Sequence, residues 1–254
     1  MADHISASQI NRFLAEPALW LVEQLWGVKG TVGPGAWRGN ACEAAMDTIL
    51  FQDADSSTAT AAALARFEQD AQGEIRDDIE KERVALSAYL ANLLPVAKQL
   101  RAEKGIPLVR QSRIELELPG IRVAVVGYVD YLWDGCGLDL KTVGRSPSFT
   151  EAGRIKDKAD HLRQMAIYNK AKGVPFSLLY ATPTKDKPAK SYLVSDEEHD
   201  TAMRQIVAAA RAMDKLLANA NDRERLAVMF PPRDLNDYYW SDETRAVARK
   251  IWSL

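Results

Sequence analysis

The sequence has few cysteines and no long apolar run, and each shortage excludes a class of protein. Two cysteines in 254 residues cannot form a disulfide framework, which points to a reducing cytoplasm. They also cannot supply the four ligands of an ordinary iron–sulfur cluster, so we expect none. No apolar run approaches the ~20 residues of a membrane-spanning helix, and the polar N-terminus carries no signal-peptide pattern. We therefore predict a cytoplasmic protein with no membrane partner.

Net charge is also small. A net charge of −2 and a pI of about 6.0 argue against passive coating of nucleic acid, although a local basic groove remains compatible with them. The hydrophobic fraction of 47% and charged fraction of 27% are typical of a globular protein with a sizeable core. Because no internal repeat or low-complexity linker is visible, we predict a single domain over residues 1–254.

Helix signals come first along the chain. Ser6 and Gln9 form a capping-box pattern, Pro17 kinks or restarts the helix that follows, and a second helix is predicted over residues 36–51. Residues 55–104 are rich in Ala, Glu and Lys and predict a helical insertion or cap.

Strand signals follow this helical region. We predict strands at 109–118, 121–133, 136–142, 176–182 and 190–194, with a helix at 157–172 and a C-terminal helical part at 195–254. This order favours an α/β fold, a central mixed β-sheet flanked by helices.

The most informative segment is the predicted hairpin that ends at Thr142. Asp134-Gly135 is a favoured two-residue loop, and counting back from it places Asp130 opposite Asp139. Lys141 points to the same sheet face as Asp139. Directly opposed like charges destabilise a sheet, so a divalent cation bound between the carboxylates is one interpretation. Mg²⁺ suits such hard oxygen ligands, with Mn²⁺ as a substitute. The other interpretation is a surface hairpin with solvated charges.

Three further segments give this hairpin a context. They are Ser6–Phe13, which contains Ser8 and Arg12, then Arg38–Glu43, then Gln164–Tyr168. In this order the four motifs resemble the PD-(D/E)xK nuclease superfamily, in its RecB-like and phage lambda-exonuclease-like branch. The resemblance covers most of residues 5–182. Val129-Asp130 stands where the superfamily name has Pro-Asp.

The resemblance implies a restriction-endonuclease-like core and metal-dependent hydrolysis of phosphodiester bonds. Glu43, Asp130 and Asp139 would hold Mg²⁺, and the backbone carbonyl of Leu140 would complete the coordination. Lys141 would position or activate the attacking water. Asp47, one turn after Glu43, is the alternative third carboxylate, and a surface glutamate is the alternative reading of Glu43.

The same resemblance gives supporting roles to other residues. Gln164 and Tyr168 are four residues apart and share a helix face, where Gln164 would hydrogen-bond to the site or to a DNA phosphate. Arg38, Arg12 and Ser8 are candidates for DNA contact.

The resemblance also narrows the function. It implies a DNA exonuclease of the phage recombination or RecB-like repair type, with a homo-oligomer and a single-strand annealing protein as compatible partners. An endonuclease, or a CRISPR-associated RecB-like nuclease without an iron–sulfur cluster, is the first alternative. A non-catalytic DNA-binding module with the same fold is the second. A third, a purely structural hairpin, predicts Asp130 and Asp139 exposed and far from Glu43.

Overall fold

The structure is a computed structural model. It describes residues 4–30, 32–151, 153–156, 158–185, 187–237 and 239–254. Across these residues, none of the helices combines the length and the apolar character that crossing a membrane would require.

Within the described residues the strands form one six-stranded mixed sheet. The strands are β1 (His4–Ser6), β2 (Val109–Leu116), β3 (Ala124–Trp133), β4 (Cys136–Thr142), β5 (Phe176–Ala181) and β6 (Lys190–Leu193). The strand order is β1-β3-β4-β5-β6, and β2 pairs with β3. The β1–β3 and β4–β5 pairs are parallel, whereas β2–β3, β3–β4 and β5–β6 are antiparallel. The mixed sheet predicted from the sequence is confirmed.

The helices of the described chain pack on both faces of this sheet. They are α1 (Ala7–Ala15), α2 (Pro17–Leu25), α3 (Pro34–Gln52), α4 (Ser56–Ala71), α5 (Asp77–Lys104), α6 (Ala159–Lys172), α7 (Asp196–Ala218), α8 (Arg223–Met229) and α9 (Asp242–Trp252), with a 3-10 turn at Ala220–Asp222. One core joins α1, α2, α6 and α7 to the face that carries Val125, Val129 and Leu178. A second core joins α3, α4 and α5 to the face that carries Tyr131, Leu138 and Leu140.

Most element bounds lie within three residues of their predicted positions. Ser6 forms the predicted capping box, and Ser195 forms a second one at the start of α7. Pro17 opens α2 as the first helical residue. The predicted helix start at residue 157 lies outside the described residues. Strand β1 was not predicted. It has three residues and ends at the Ser6 cap, and so short a segment carries no pattern that distinguishes a strand from a loop.

The central strand β3 has one edge that is paired almost throughout and one edge with a wider gap. Along the first edge, β2 pairs from Val125 to Leu132 except at Asp130, where the register skips from Arg110 to Ser112. Along the other, β1 pairs with 124–126 and β4 with 131–133. Among the described strands, none pairs with residues 127–130 on this second edge. The sheet therefore opens into a fork between β3 and β4, and the polar residues of the hairpin lie at this fork.

Candidate active site

The hairpin register follows from its turn, as predicted. Gly135 has a φ of 76°, a conformation that glycine adopts without strain. Trp133 then lies opposite Cys136, and the ladder runs to Tyr131 opposite Leu138. The next pair was predicted to be Asp130 and Asp139. Instead, the Oδ2 of Asp130 accepts a hydrogen bond of 2.8 Å from the backbone N–H of Leu140. The side chain of Asp130 thus replaces a ladder partner where the strands separate.

This contact also fixes the orientation of the Leu140 backbone. Gly137 N–H donates to the carbonyl of Pro175 on the β5 side, and alternate residues of a strand point their backbone groups to opposite edges. The N–H and the carbonyl of Leu140 therefore both face the β3 side of the fork. The carbonyl predicted to serve as a metal ligand lies on the same side as Asp130.

Asp139, Lys141 and Gln164 form one connected group at the fork. The Nζ of Lys141 lies 2.6 Å from the Oδ2 of Asp139 and donates to the Oε1 of Gln164 at 2.8 Å. The Nε2 of Gln164 donates to the Oδ1 of Asp139 at 3.2 Å. Gln164 thus accepts from the lysine and donates to the carboxylate, which fixes both relative to helix α6.

Tyr168 anchors this group to β3. Its hydroxyl lies 2.5 Å from the Nε2 of Gln164 and donates to the carbonyl of Tyr128 at 2.5 Å. The ring reaches this carbonyl by crossing Gly127, where an added Cβ would lie 2.5 Å from a Tyr168 ring carbon. A glycine is needed at residue 127 for helix α6 to reach the fork.

Glu43 approaches from the opposite face of the sheet. A residue that the sequence reading missed, Gln111 of β2, links it to the hairpin. The Nε2 of Gln111 donates to the Oε2 of Glu43 at 3.1 Å and to the Oδ1 of Asp130 at 3.2 Å. Since one nitrogen contacts both oxygens, the two carboxylates lie close together. The fork therefore brings together side chains from α3 on one face and α6 on the other.

The backbone of Gln111 is unusual and explains how its side chain reaches the site. Its φ of 50° lies in the left-handed region, which residues other than glycine rarely adopt. Before it, Arg110 points to α3 and pairs with Asp47, whereas Ile114 beyond it belongs to the core on the other face. The left-handed residue thus marks the place where β2 changes the face that its side chains occupy.

The charged forms of the three carboxylates at the fork are disfavoured, since the pKa of each is raised. Burial, and after it the charge of Asp139, raise the pKa of Glu43 to about 6. Burial also raises the pKa of Asp130 well above its ordinary value, with contributions from Asp139 and Glu43. Burial likewise raises the pKa of Asp139, although Lys141 opposes this. A nearby cation would favour the charged form of all three.

Lys141 supplies only part of that positive charge. Burial lowers its pKa, but Asp139, Asp130 and Glu43 raise it by more, so the amine stays protonated. Three carboxylates therefore share one ammonium group. The Oδ2 of Asp139 is buried without an aligned hydrogen-bond donor, because Lys141 lies near it as an ion pair outside hydrogen-bonding geometry.

The donor chemistry of these residues fits a hard divalent cation, but their spacing does not yet form a ligand set. Carboxylate and carbonyl oxygens are the ligands that Mg²⁺ prefers, and among the described residues the Oδ2 of Asp139 has no hydrogen-bond partner beside its ion pair with Lys141. As the side chains stand, however, no three His, Cys, Asp or Glu residues among those described form a cluster able to hold a metal. The amide of Gln111 lies between Glu43 and Asp130, where it contacts an oxygen of each.

Asp47, the alternative third carboxylate, is already occupied by other partners. It accepts from the hydroxyl of Tyr131 at 2.9 Å and lies 2.5 Å from the Nε of Arg110. These contacts favour Glu43 over Asp47 as the acidic residue that α3 contributes to the site.

The residues predicted to contact DNA lie in two different settings. Arg38 pairs with Glu82, donates to the carbonyl of Thr142 at 3.2 Å and stacks on Tyr89. Its guanidinium therefore links α3 and α5 to the end of β4, and contact with DNA remains a prediction. Ser8 and Arg12 instead line an open cleft with Lys158, Asp160 and Arg163, where contact with DNA also remains a prediction.

His161 lies one turn before Gln164 on α6. Its Nδ1 and the hydroxyl of Tyr180 share a hydrogen bond of 2.8 Å. Burial lowers the pKa of His161 to about 4, so the ring is neutral near neutral pH.

Comparison with known proteins assigns the family. Residues 4–233 match the PD-(D/E)XK nuclease superfamily, and the chain therefore belongs to that superfamily. The match includes every residue of the fork, from Glu43 on α3 to Tyr168 on α6. No curated protein matches the chain.

Solved structures support the fold. A provisionally named exonuclease from Eubacterium rectale aligns with a TM-score of 0.57 and 15% identity, over 87% of this chain and 82% of that one. The structure of SSO0001 aligns over 57% of this chain and 68% of that one, with 17% identity and a TM-score of 0.31, too low to carry an argument. The predicted restriction-endonuclease-like fold, a central mixed sheet flanked by helices, is confirmed.

Proposed function

We propose that this nuclease is a divalent-metal-dependent deoxyribonuclease, and specifically an exonuclease of the phage recombination or RecB-like repair type. The observation that carries the proposal is the fork itself. Lys141, Asp139 and Gln164 are hydrogen-bonded or ion-paired there, and Asp130 lies beside them on the backbone of Leu140. A degenerate, non-catalytic member of the family would be expected to have lost at least one of these groups.

In this proposal Glu43, Asp130, Asp139 and the carbonyl of Leu140 hold Mg²⁺, for which Mn²⁺ can substitute. The bound ion would lower the pKa of a water molecule and stabilise negative charge on the phosphate. Lys141 keeps its proton, because its acidic neighbours raise its pKa. It therefore acts by orienting the nucleophile or by stabilising the developing charge.

Gln164 and Tyr168 act as positioning residues in this scheme. Gln164 accepts from Lys141 and donates to Asp139, so it holds the ammonium group and the carboxylate in a fixed relation. Tyr168 fixes Gln164 through the carbonyl of Tyr128. Misplacement of reacting groups by about 1 Å can reduce a rate about 100-fold, which gives these hydrogen bonds functional weight.

The exonuclease assignment rests on likeness to a provisionally named exonuclease and on the four sequence motifs. The substrate is proposed to be DNA, contacted along the cleft that Ser8 and Arg12 line with Lys158 and Arg163. A single-strand annealing partner and a homo-oligomer are part of the proposal by resemblance only.

The test compares linear, nicked and closed circular DNA, each incubated with Mg²⁺ or EDTA. We expect Mg²⁺-dependent loss of linear DNA only. Cleavage of closed circles would replace the exonuclease by an endonuclease, and DNA binding without cleavage would favour the non-catalytic module.

The variants for this test lie within one hairpin. Lys141→Ala and Asp130→Asn should remove the activity. Asp134→Asn is the matched control, because it alters an exposed carboxylate at the turn and preserves a favoured Asn-Gly loop. Equal activity of Asp130→Asn and Asp134→Asn would rule out a role for the fork.

A further inference from the structure

Gln111 is a polar residue with strained backbone geometry that none of the family motifs includes. Its φ of 50° is uncommon for a side-chain-bearing residue, and such conformations persist where the surrounding structure holds them and often lie at functional sites. Its side chain is exposed, so core packing does not account for the conformation. Two described contacts do involve the side chain, and both are with carboxylates of the site.

The position of the amide is informative. Its nitrogen contacts an oxygen of Glu43 and an oxygen of Asp130, and a cation shared by these carboxylates would need the same place. A neutral amide brings only a partial positive charge between two acids. The nitrogen therefore stands in for a cation and satisfies the two carboxylates incompletely.

The other end of the amide group has the complementary chemistry. A carboxamide has an NH₂ group that donates and an oxygen that accepts, and the two differ by a half-turn of the terminal torsion. That torsion has a broad, roughly two-fold profile. A half-turn would direct the Oε1 of Gln111 to the place between Glu43 and Asp130, where Mg²⁺ accepts carbonyl-type oxygens as ligands.

We propose that Gln111 is a fourth side chain of the metal site, which bridges Glu43 and Asp130 without metal and turns its amide oxygen toward the ion when metal binds. This inference rests on the proposed metal-dependent function. It accounts for two observations together: the left-handed backbone that directs the side chain into the fork, and the absence, among the described residues, of a preformed cluster of three acidic ligands.

The chain offers a matched control in Gln72. It is an exposed glutamine with a φ of 51° at the end of α4, outside the fork. Replacing either glutamine by Met keeps the length of the side chain and removes the amide. In both variants the methionine must adopt the same left-handed backbone conformation as the glutamine.

The experiment measures Mg²⁺ binding to the full chain by titration calorimetry in the absence of DNA. Gln111→Met should weaken binding about tenfold, which corresponds to ~1.4 kcal/mol, and Gln72→Met should leave the Kd unchanged. Gln111→Glu should bind Mg²⁺ at least as tightly as the wild type, because a carboxylate oxygen replaces the amide oxygen.

Melting of the metal-free protein gives a second readout. At pH 8, Gln111→Met should lower the Tm more than Gln72→Met does, because the bridge between Glu43 and Asp130 is lost. Gln111→Gly should melt above Gln111→Ala, since glycine takes the left-handed backbone without strain.

The outcomes separate this inference from the proposed function. Wild-type protein that binds no Mg²⁺ would overturn both. If the wild type binds Mg²⁺ and Gln111→Met binds it equally well or more tightly, only the role of Gln111 is overturned, because the amide would then merely occupy the place of the ion.

Discussion

Glu198 and the carboxylates of the fork have opposite environments. Glu198 accepts hydrogen bonds from Ser195, from the hydroxyl of Tyr192 and from the N–H of Ile155. Burial raises the pKa of Glu198, but these hydrogen bonds lower it by more, and the net shift is downward. At the fork the net pKa shift of each acid is upward.

This difference in pKa shift is the one expected between a structural carboxylate and the carboxylates of the proposed metal site. Glu198 is supplied with donors by its own capping box and by the adjacent strand, so its charge is fully compensated. Asp139 is only 1% exposed, yet its Oδ2 has an ion pair with Lys141 and no aligned hydrogen-bond donor. Folding alone does not favour such an arrangement, and strained, perturbed groups of this kind cluster at functional sites.

The largest expected difference between the two groups is in catalysis. Asp139→Asn should lower the rate of DNA cleavage by roughly 10³-fold, the scale on which loss of a charge-stabilising group acts. Glu198→Gln should leave the rate within about twofold when folded protein is compared. Initial rates with Mg²⁺ on linear DNA measure both, and a full rate for Asp139→Asn would contradict the proposed site.

The next difference is in stability, where the two groups should respond with opposite signs. Glu43→Gln should stabilise the metal-free protein at pH 8 by about 1–2 kcal/mol, since its raised pKa of about 6 measures an unfavourable charge. Glu198→Gln should destabilise it by about 2–3 kcal/mol, because both oxygens of Glu198 accept hydrogen bonds and the NH₂ group that replaces one of them would face donors.

Chemical denaturation of both variants gives the free energies of unfolding. If Glu43→Gln were destabilising without metal, the carboxylates of the fork would be structural in the same sense as Glu198.

The pH dependence should also differ in sign. Between about pH 4.5 and 6, folded Glu43 binds more protons than unfolded Glu43, so its contribution makes the metal-free protein less stable as pH rises through this range. Glu198 has a lowered pKa, so its effect has the opposite sign. It stabilises the folded protein above the unfolded pKa near 4.5, and this stabilisation is lost as pH falls through the folded pKa.

Added Mg²⁺ should therefore raise the Tm by several degrees more at pH 8 than at pH 5, because binding to the native state stabilises it and protons compete with the ion at low pH. Thermal melts with Mg²⁺ or EDTA at both values provide the measurement. Glu43→Gln should reduce the Mg²⁺ effect at pH 8. An equal rise in Tm at both pH values would indicate binding elsewhere.

The smallest predicted effect concerns the cap beside Glu198. Ser195→Ala should cost about 1 kcal/mol of stability, the usual value for a lost N-cap, with cleavage unchanged. Its effect should be less than additive with that of Glu198→Gln, because the two side chains share hydrogen bonds. Additive values from denaturation of the double variant would contradict a shared network.

Local features of the fold could be predicted because their causes lie within a few residues. The capping boxes at Ser6 and Ser195 need only a side chain and the backbone three residues away. The hairpin register follows from the positive φ of Gly135. Neither requires knowledge of the rest of the chain, which is why the element order was recognisable.

Several residues of the proposed site could also be grouped from the sequence. Asp130, Asp139 and Lys141 lie on one hairpin, and Gln164 and Tyr168 lie one helical turn apart. Counting residues back from the turn, together with helical spacing, is enough to group them. The same counting wrongly placed Asp130 and Asp139 as a strand pair, whereas the β3–β4 ladder ends at Tyr131 and Leu138.

Only the tertiary structure decided how these pieces meet. Glu43 reaches Asp130 through Gln111, and the three residues come from α3, β3 and β2. Nothing in the sequence near Gln111 announces its left-handed backbone, since the surrounding sheet imposes it. The sequence by itself determined the helices, the strands, the turn and most of the acidic residues, because local geometry specifies them. The fork that opens both faces of the sheet to one site depends on packing between distant segments.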